Sequence, residues 1–160
     1  MRGERVGTEL ERHVEQIYRE QGARLWRSIA LSTGSRDVAD DAVAEAFAQA
    51  IARGDALLDP AAWIWRTAFR IAAGEMKTRS MAGSLPDDLG SVEVPESLVD
   101  LVRALAELTP HQRTAVVLAD YAGYPHREIA RILGSSVSAV GVHVYRARRR
   151  LRSLLEAGDA

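Results

Sequence analysis

Apolar residues recur at spacings of three and four along most of this 160-residue chain, and one aperiodic stretch, Ser80 to Pro95, interrupts them. An α-helix turns once per 3.6 residues, so that spacing gathers apolar side chains on one face, whereas a half-buried strand would alternate them. Aromatic residues make up only 6% of the chain, which leaves Ala, Leu, Val and Ile to build the core. Such a core suits close-packed helices better than a sheet. The expected fold class is all-α: a helical domain at 8–79, a flexible acidic linker at 80–95, and a four-helix domain with a helix-turn-helix at 96–156.

Local signals place the helices. Leu10, Val14, Ile17, Tyr18, Leu25 and Ile29 mark one or two helices with Gly22 as a candidate break, and Gly34 ends them. Ser35 can cap the next helix, whose stripe of Val38, Val43, Ala46, Phe47, Ala50 and Ile51 leaves Asp37, Asp40, Asp41 and Glu45 on the opposite face. Asp59 followed by Pro60, a cap and a first-turn proline, opens a helix to Arg79. Trp63 and Trp65 within it point in different directions, so at least one is expected to be exposed. The linker of small, Gly, Pro and acidic residues has little to pack, and the two lobes are expected to move as separate bodies. Helicity resumes at Glu96. Thr109-Pro110-His111-Gln112 has the form of a capping box, starting a helix to about Tyr121. Two more follow, Pro125 to Leu133 and Ser136 to about Leu155.

Several function classes are excluded. The chain has no Cys, hence no disulfide, thiolate metal site or cysteine nucleophile. It opens without a signal-like stretch, and charged residues break every run that approaches the ~18 apolar residues of a membrane span. The expected address is the cytoplasm, with no membrane partner. His13, His111, His126 and His143 are scattered without ligand spacing, so neither metal nor cofactor is expected, nor an enzymatic reaction.

Glu128 to Leu133, then Gly134 and Ser135 to Val140, read as a helix-turn-helix. Ala130 allows close crossing, Gly134 can take the left-handed turn, and Val137, Val140, Val144 and Leu151 seat the second helix. With Ser136 as its cap, that helix presents Ser138, Ala139, Val142, His143 and Arg146, with Arg149 and Arg150 further along, as a recognition helix does in a major groove. Between Val142 and Arg152 stand five arginines and no acid. Their mutual repulsion is relieved by a polyanion, which points to DNA. The plainer alternative is a solvated αα-hairpin in a protein-binding adaptor.

Leu105 to Leu118, Glu128-Ile129-Ala130, Leu133-Gly134 and Tyr145 to Arg152 resemble region 4 of the extracytoplasmic function (ECF) sigma factors of the sigma-70 family. Ala39 to Phe47 resembles the acidic motif of their region 2, and Ala62 to Arg70 its promoter-melting helix. The resemblance implies a protein that binds core RNA polymerase and directs it to promoters, its first lobe on the −10 element and its second on the −35 element. It implies that Asp40, Asp41 and Glu45 dock on the β′ clamp helices, that the second lobe meets the β flap, and that Trp63, Arg66, Arg70 and Lys77 meet the separated strand. An anti-sigma protein is a further partner it allows. The chain departs from the family where Ala139-Val140-Gly141-Val142-His143 replaces a frequent Thr-Val-Lys-Ser-Arg, and where Arg70 and Gly74 replace Asn and Asp. A LuxR-type regulator, binding duplex DNA without polymerase, is the alternative for the second lobe.

Overall fold

The computed structural model describes residues 2–81 and 96–159, with only the backbone described for 2–8, 55 and 97. Among these residues there are seven α-helices and no strand: α1 (Arg2–Thr33), α2 (Arg36–Arg53), α3 (Pro60–Met81), α4 (Glu96–Ala106), α5 (Pro110–Val116), α6 (His126–Leu133) and α7 (Val137–Gly158). The linker assigned to 80–95 lies largely outside the described residues; its first two, Ser80 and Met81, continue α3.

The caps sit where the sequence places them. Ser35 Oγ accepts the Val38 N–H, Asp59 Oδ1 accepts the Ala62 N–H, and Thr109 and Gln112 close a reciprocal capping box. Each satisfies a backbone donor that a helix start leaves without an intrahelical acceptor. Neither Gly22 nor Gly74 breaks its helix. A lone glycine in a helix costs about 1 kcal/mol against Ala, less than the packing of α1 and α3 returns. The helix after Thr109 changes pitch instead of running on to Tyr121: Val117–Tyr121 form a π-helical turn in which the Ala122 N–H donates to Val117 O, five residues back.

α1, α2 and α3 pack on one another around Leu25, Ile29, Val38, Ala46, Ile64 and Ala68. α4 to α7 form the second lobe. The expectation of separate bodies fails in this arrangement, because one apolar core runs through both lobes, from Val14 and Trp65 to Leu118, Ile129 and Val144. α1 packs on α5 and α3 on α6. The Trp65 ring, 1% exposed, meets Tyr124 edge to face at 5.0 Å, and the Arg24 guanidinium lies over both rings while donating to Ala122 O. Arg113 reaches from α5 to donate its Nε–H to Leu31 O at the C-terminal end of α1, seating its guanidinium against Gly34. Gly34 has φ +70°, so a side chain there would be strained. Burial lowers the Arg113 pKa to about 10. Counting periodicity lobe by lobe does not reveal this contact, since its residues also read as parts of each lobe's own core or surface.

Candidate nucleic-acid interface

α7 begins at Ser136, whose Oγ accepts the Ala139 N–H at 3.1 Å, after Gly134 has turned the chain through the left-handed region at φ 62°. Val140, Val144 and Ala147 are buried against the lobe and Leu151 is half-buried. Val137, expected in that core, is exposed. Helical side chains lean toward the N-terminus, and at the first helical position this one leans off the end of the packed surface.

Ser138, Val142 and Arg149 share the outer face of α7, with Arg146 and Arg150 beside it, all exposed. Tyr145 stands in the same row, 64% exposed, and was not among the expected contacts; its spacing of three from Val142 and four from Arg149 would have included it. Ala139 and His143 lie on the flank, half-buried. The His143 ring stacks on that of His111 from α5, centroids 5.4 Å apart and planes 19° apart. Two of the four scattered histidines are thus brought together by a tertiary crossing that their 32-residue separation conceals.

The arginine cluster is compensated at one point. Arg148 donates Nε–H and an Nη2–H to the two carboxylate oxygens of Asp120, at 3.0 and 2.6 Å, and this hydrogen bonding raises the Arg148 pKa. Asp120 comes from the π turn, so the absence of an acid near the cluster in sequence did not mean its absence in space. Arg146, Arg149, Arg150 and Arg152 are exposed and make no ion pair among the described residues.

On α3, Arg66, Arg70 and Lys77 fall at spacings of four and seven, one line along the helix, and all are exposed. Neither tryptophan is exposed as expected: Trp63 is 9% accessible, with the Arg53 guanidinium 5.1 Å from its ring centre. α3 is packed by α1 and α2 on one side and by α6 on another, so side chains pointing in different directions are both covered. Trp63 and Arg66 line a cleft of about 580 Å³ between the lobes, with Leu57, Tyr124, Glu128 and Arg131.

Asp40, Asp41 and Glu45 are exposed on α2. Asp40 Oδ1 accepts the Trp26 indole N–H at 2.7 Å, and Glu45 Oε1 accepts from the Gln49 amide at 2.8 Å, so two of the three carboxylates are held in place. Asp41 faces Glu75 of α3, whose pKa is raised first by burial and then by Asp41, with Arg79 opposing. Phe47 is buried, edge to face with Tyr18 at 5.2 Å. Among the described residues no three His, Asp or Glu side chains are grouped to hold a metal ion, and no helix is long and apolar enough to cross a membrane.

A three-helix lobe joined to a lobe with a basic helix-turn-helix defines a helical DNA-binding protein. Residues 98–151 match the family model for sigma-70, region 4. The chain is 29% identical over 149 residues to the ECF RNA polymerase sigma factor SigM of Mycobacterium tuberculosis, covering 88% of this chain and 76% of that protein. In fold it is similar to the sigma factor RpoE of Bartonella quintana, solved with the anti-sigma factor NepR, at a TM-score of 0.74 and 22% identity over 89% of this chain and 98% of that one. It is likewise similar to CnrH, solved with the cytosolic domain of CnrY, at a TM-score of 0.71 and 25% identity over 96% and 94% of the two chains. Residues 98–151 thus match sigma-70 region 4, and most of the chain is similar to ECF sigma factors, proteins that direct the initiation of transcription. A LuxR-type module accounts for the second lobe alone, whereas the similarity to SigM spans 88% of the chain.

Proposed function

We propose that the second lobe reads the −35 duplex with α7 while the first holds the separated strand of the −10 element along Arg66, Arg70 and Lys77. Trp63, buried beside Arg66, would act from the cleft wall. The observation that carries the reading is the α7 face: a capped helix start, the exposed row Ser138, Val142, Tyr145 and Arg149, and exposed Arg146 and Arg150 beside it. Short side chains near the helix start suit base edges, and long cations further along suit phosphate. Asp40, Asp41 and Glu45 form the surface offered to the β′ clamp helices, and the second lobe meets the β flap. The protein performs no reaction of its own and acts in the cytoplasm.

The division into lobes at 8–79 and 96–156 with a linker at 80–95 belongs to the same proposal. The −10 and −35 elements lie roughly 25 base pairs apart, which is about 85 Å of straight duplex. A compact body of this chain length is only about 40 Å across. The packed arrangement is therefore a resting state, and the lobes part on the promoter. An anti-sigma protein that holds the lobes together is the natural inhibitor, in keeping with the company in which RpoE and CnrH were solved. The test is reconstituted transcription with core polymerase on a promoter library. Initiation at defined sites that depends on the protein supports the proposal, and duplex binding with no polymerase-dependent initiation refutes it.

A further inference from the structure

His143 and His111 arise from different elements, and both backbones are held. α5 starts at a closed capping box with Pro110 at its first position, and two residues after His111 the Arg113 side chain is anchored on Leu31 O. His143 sits between Val140 and Val144, each 1% exposed. The terminal torsion of a histidine is broad and roughly two-fold, so a ring alone on a helix surface presents its edge in many directions. A ring laid against a second ring, 19° from parallel, keeps its plane, and the direction of its nitrogens is set with it. His143 is half-buried on the flank of α7, about two turns from the Ser136 cap. At that depth recognition helices reach base edges.

We infer that His111 is a positioning residue: by stacking on His143 it fixes the plane of that imidazole and aims one ring N–H at a base edge in the major groove. An imidazole N–H needs an acceptor, and in the major groove adenine, guanine and thymine each present one, whereas cytosine presents only its N4 donor. The chain therefore discriminates against cytosine at one position of its upstream element through a two-histidine unit. This inference rests on the proposed role of α7 in DNA reading.

The test uses the full chain with core polymerase to select from a library randomised across the upstream element. The unaltered chain disfavours cytosine at one position. His143→Ala removes that preference. His111→Ala lowers it about fivefold, on the order of one base-edge hydrogen bond, and leaves the other positions alone. His111→Phe, which keeps a ring to stack on, retains the preference to within about twofold, and His111→Ala added to His143→Ala changes nothing further. The inference is overturned if His111→Ala leaves every preference intact, weakens all sequences equally, or is matched by His111→Phe. If the unaltered chain selects no motif with polymerase, the proposed function falls and this inference with it, an outcome distinct from a selected motif that ignores His111.

Discussion

Replacing Tyr124 by Ala should loosen the packing of the two lobes by about 2 kcal/mol. Its ring is half-buried between the lobes, edge to face with Trp65 and 5.9 Å from the Arg24 guanidinium. Truncating a fully buried large aromatic to Ala costs about 3 to 5 kcal/mol, and half that burial brings the figure near 2. Roughly half of that loss comes from the aromatic pair and the cation. Two kcal/mol is about a 30-fold change in the equilibrium between packed and parted lobes. Hydrogen exchange of the Trp65 indole N–H, which donates to Gln21 Oε1 at 2.9 Å, reads that change where the packed arrangement predominates. Exchange should quicken about 30-fold in Tyr124→Ala and remain near the parent rate in Tyr124→Phe, with helicity unchanged by circular dichroism. Equal exchange in the parent and Tyr124→Ala would refute the view that this ring holds the lobes together.

Arg149→Ala with Arg150→Ala should weaken promoter binding about equally across sequences and flatten its dependence on log salt by roughly two units, one for each phosphate no longer neutralised; a changed sequence preference would reverse the roles assigned along α7. Charge reversal at Asp40, Asp41 and Glu45 should reduce co-elution with core polymerase, and undiminished co-elution of the folded variant removes α2 from that interface. The Glu75 carboxyl, raised by burial and Asp41, holds its proton more tightly in the folded protein than in the unfolded chain. Its contribution to stability is therefore full below the ordinary value and declines as pH rises through the raised one. Glu75→Gln should accordingly stabilise the protein near pH 7 and change little near pH 3, as followed by urea unfolding; a loss of stability at pH 7 contradicts this.

Helix starts were legible because they depend on a few adjacent residues: Ser35, Asp59, Thr109 and Ser136 each cap the helix they were expected to cap. The outer face of α7 was legible for the same reason, since one helical period relates Ser138, Val142 and Arg149. What depends on crossings was not. Asp120 meets Arg148 across 28 residues, His111 meets His143 across 32, and Arg113 meets Leu31 across 82, and no local pattern encodes those distances. Val137 failed because face alone was considered and not position along the helix. The tryptophans failed because a helix covered on two sides has little open face for an aromatic side chain.

The π turn at Val117–Tyr121 gives its stretch of chain an unusual response to a change in length. Its hydrogen bond spans five residues where the preceding helix spans four, so one surplus residue is absorbed there without a loop. Removing a single residue from the turn would restore the ordinary pitch and keep α5 in register with the segment leading into α6, while turning side chains inside the turn by up to about 100° about the axis. Asp120 would then swing away from Arg148. Point substitutions on the exposed side of this turn should be borne readily, while a one-codon deletion should cost the Asp120 and Arg148 pair more than the core. Among related chains, those without the surplus residue should also lack the Asp120 and Arg148 pair, so that the two features come and go together.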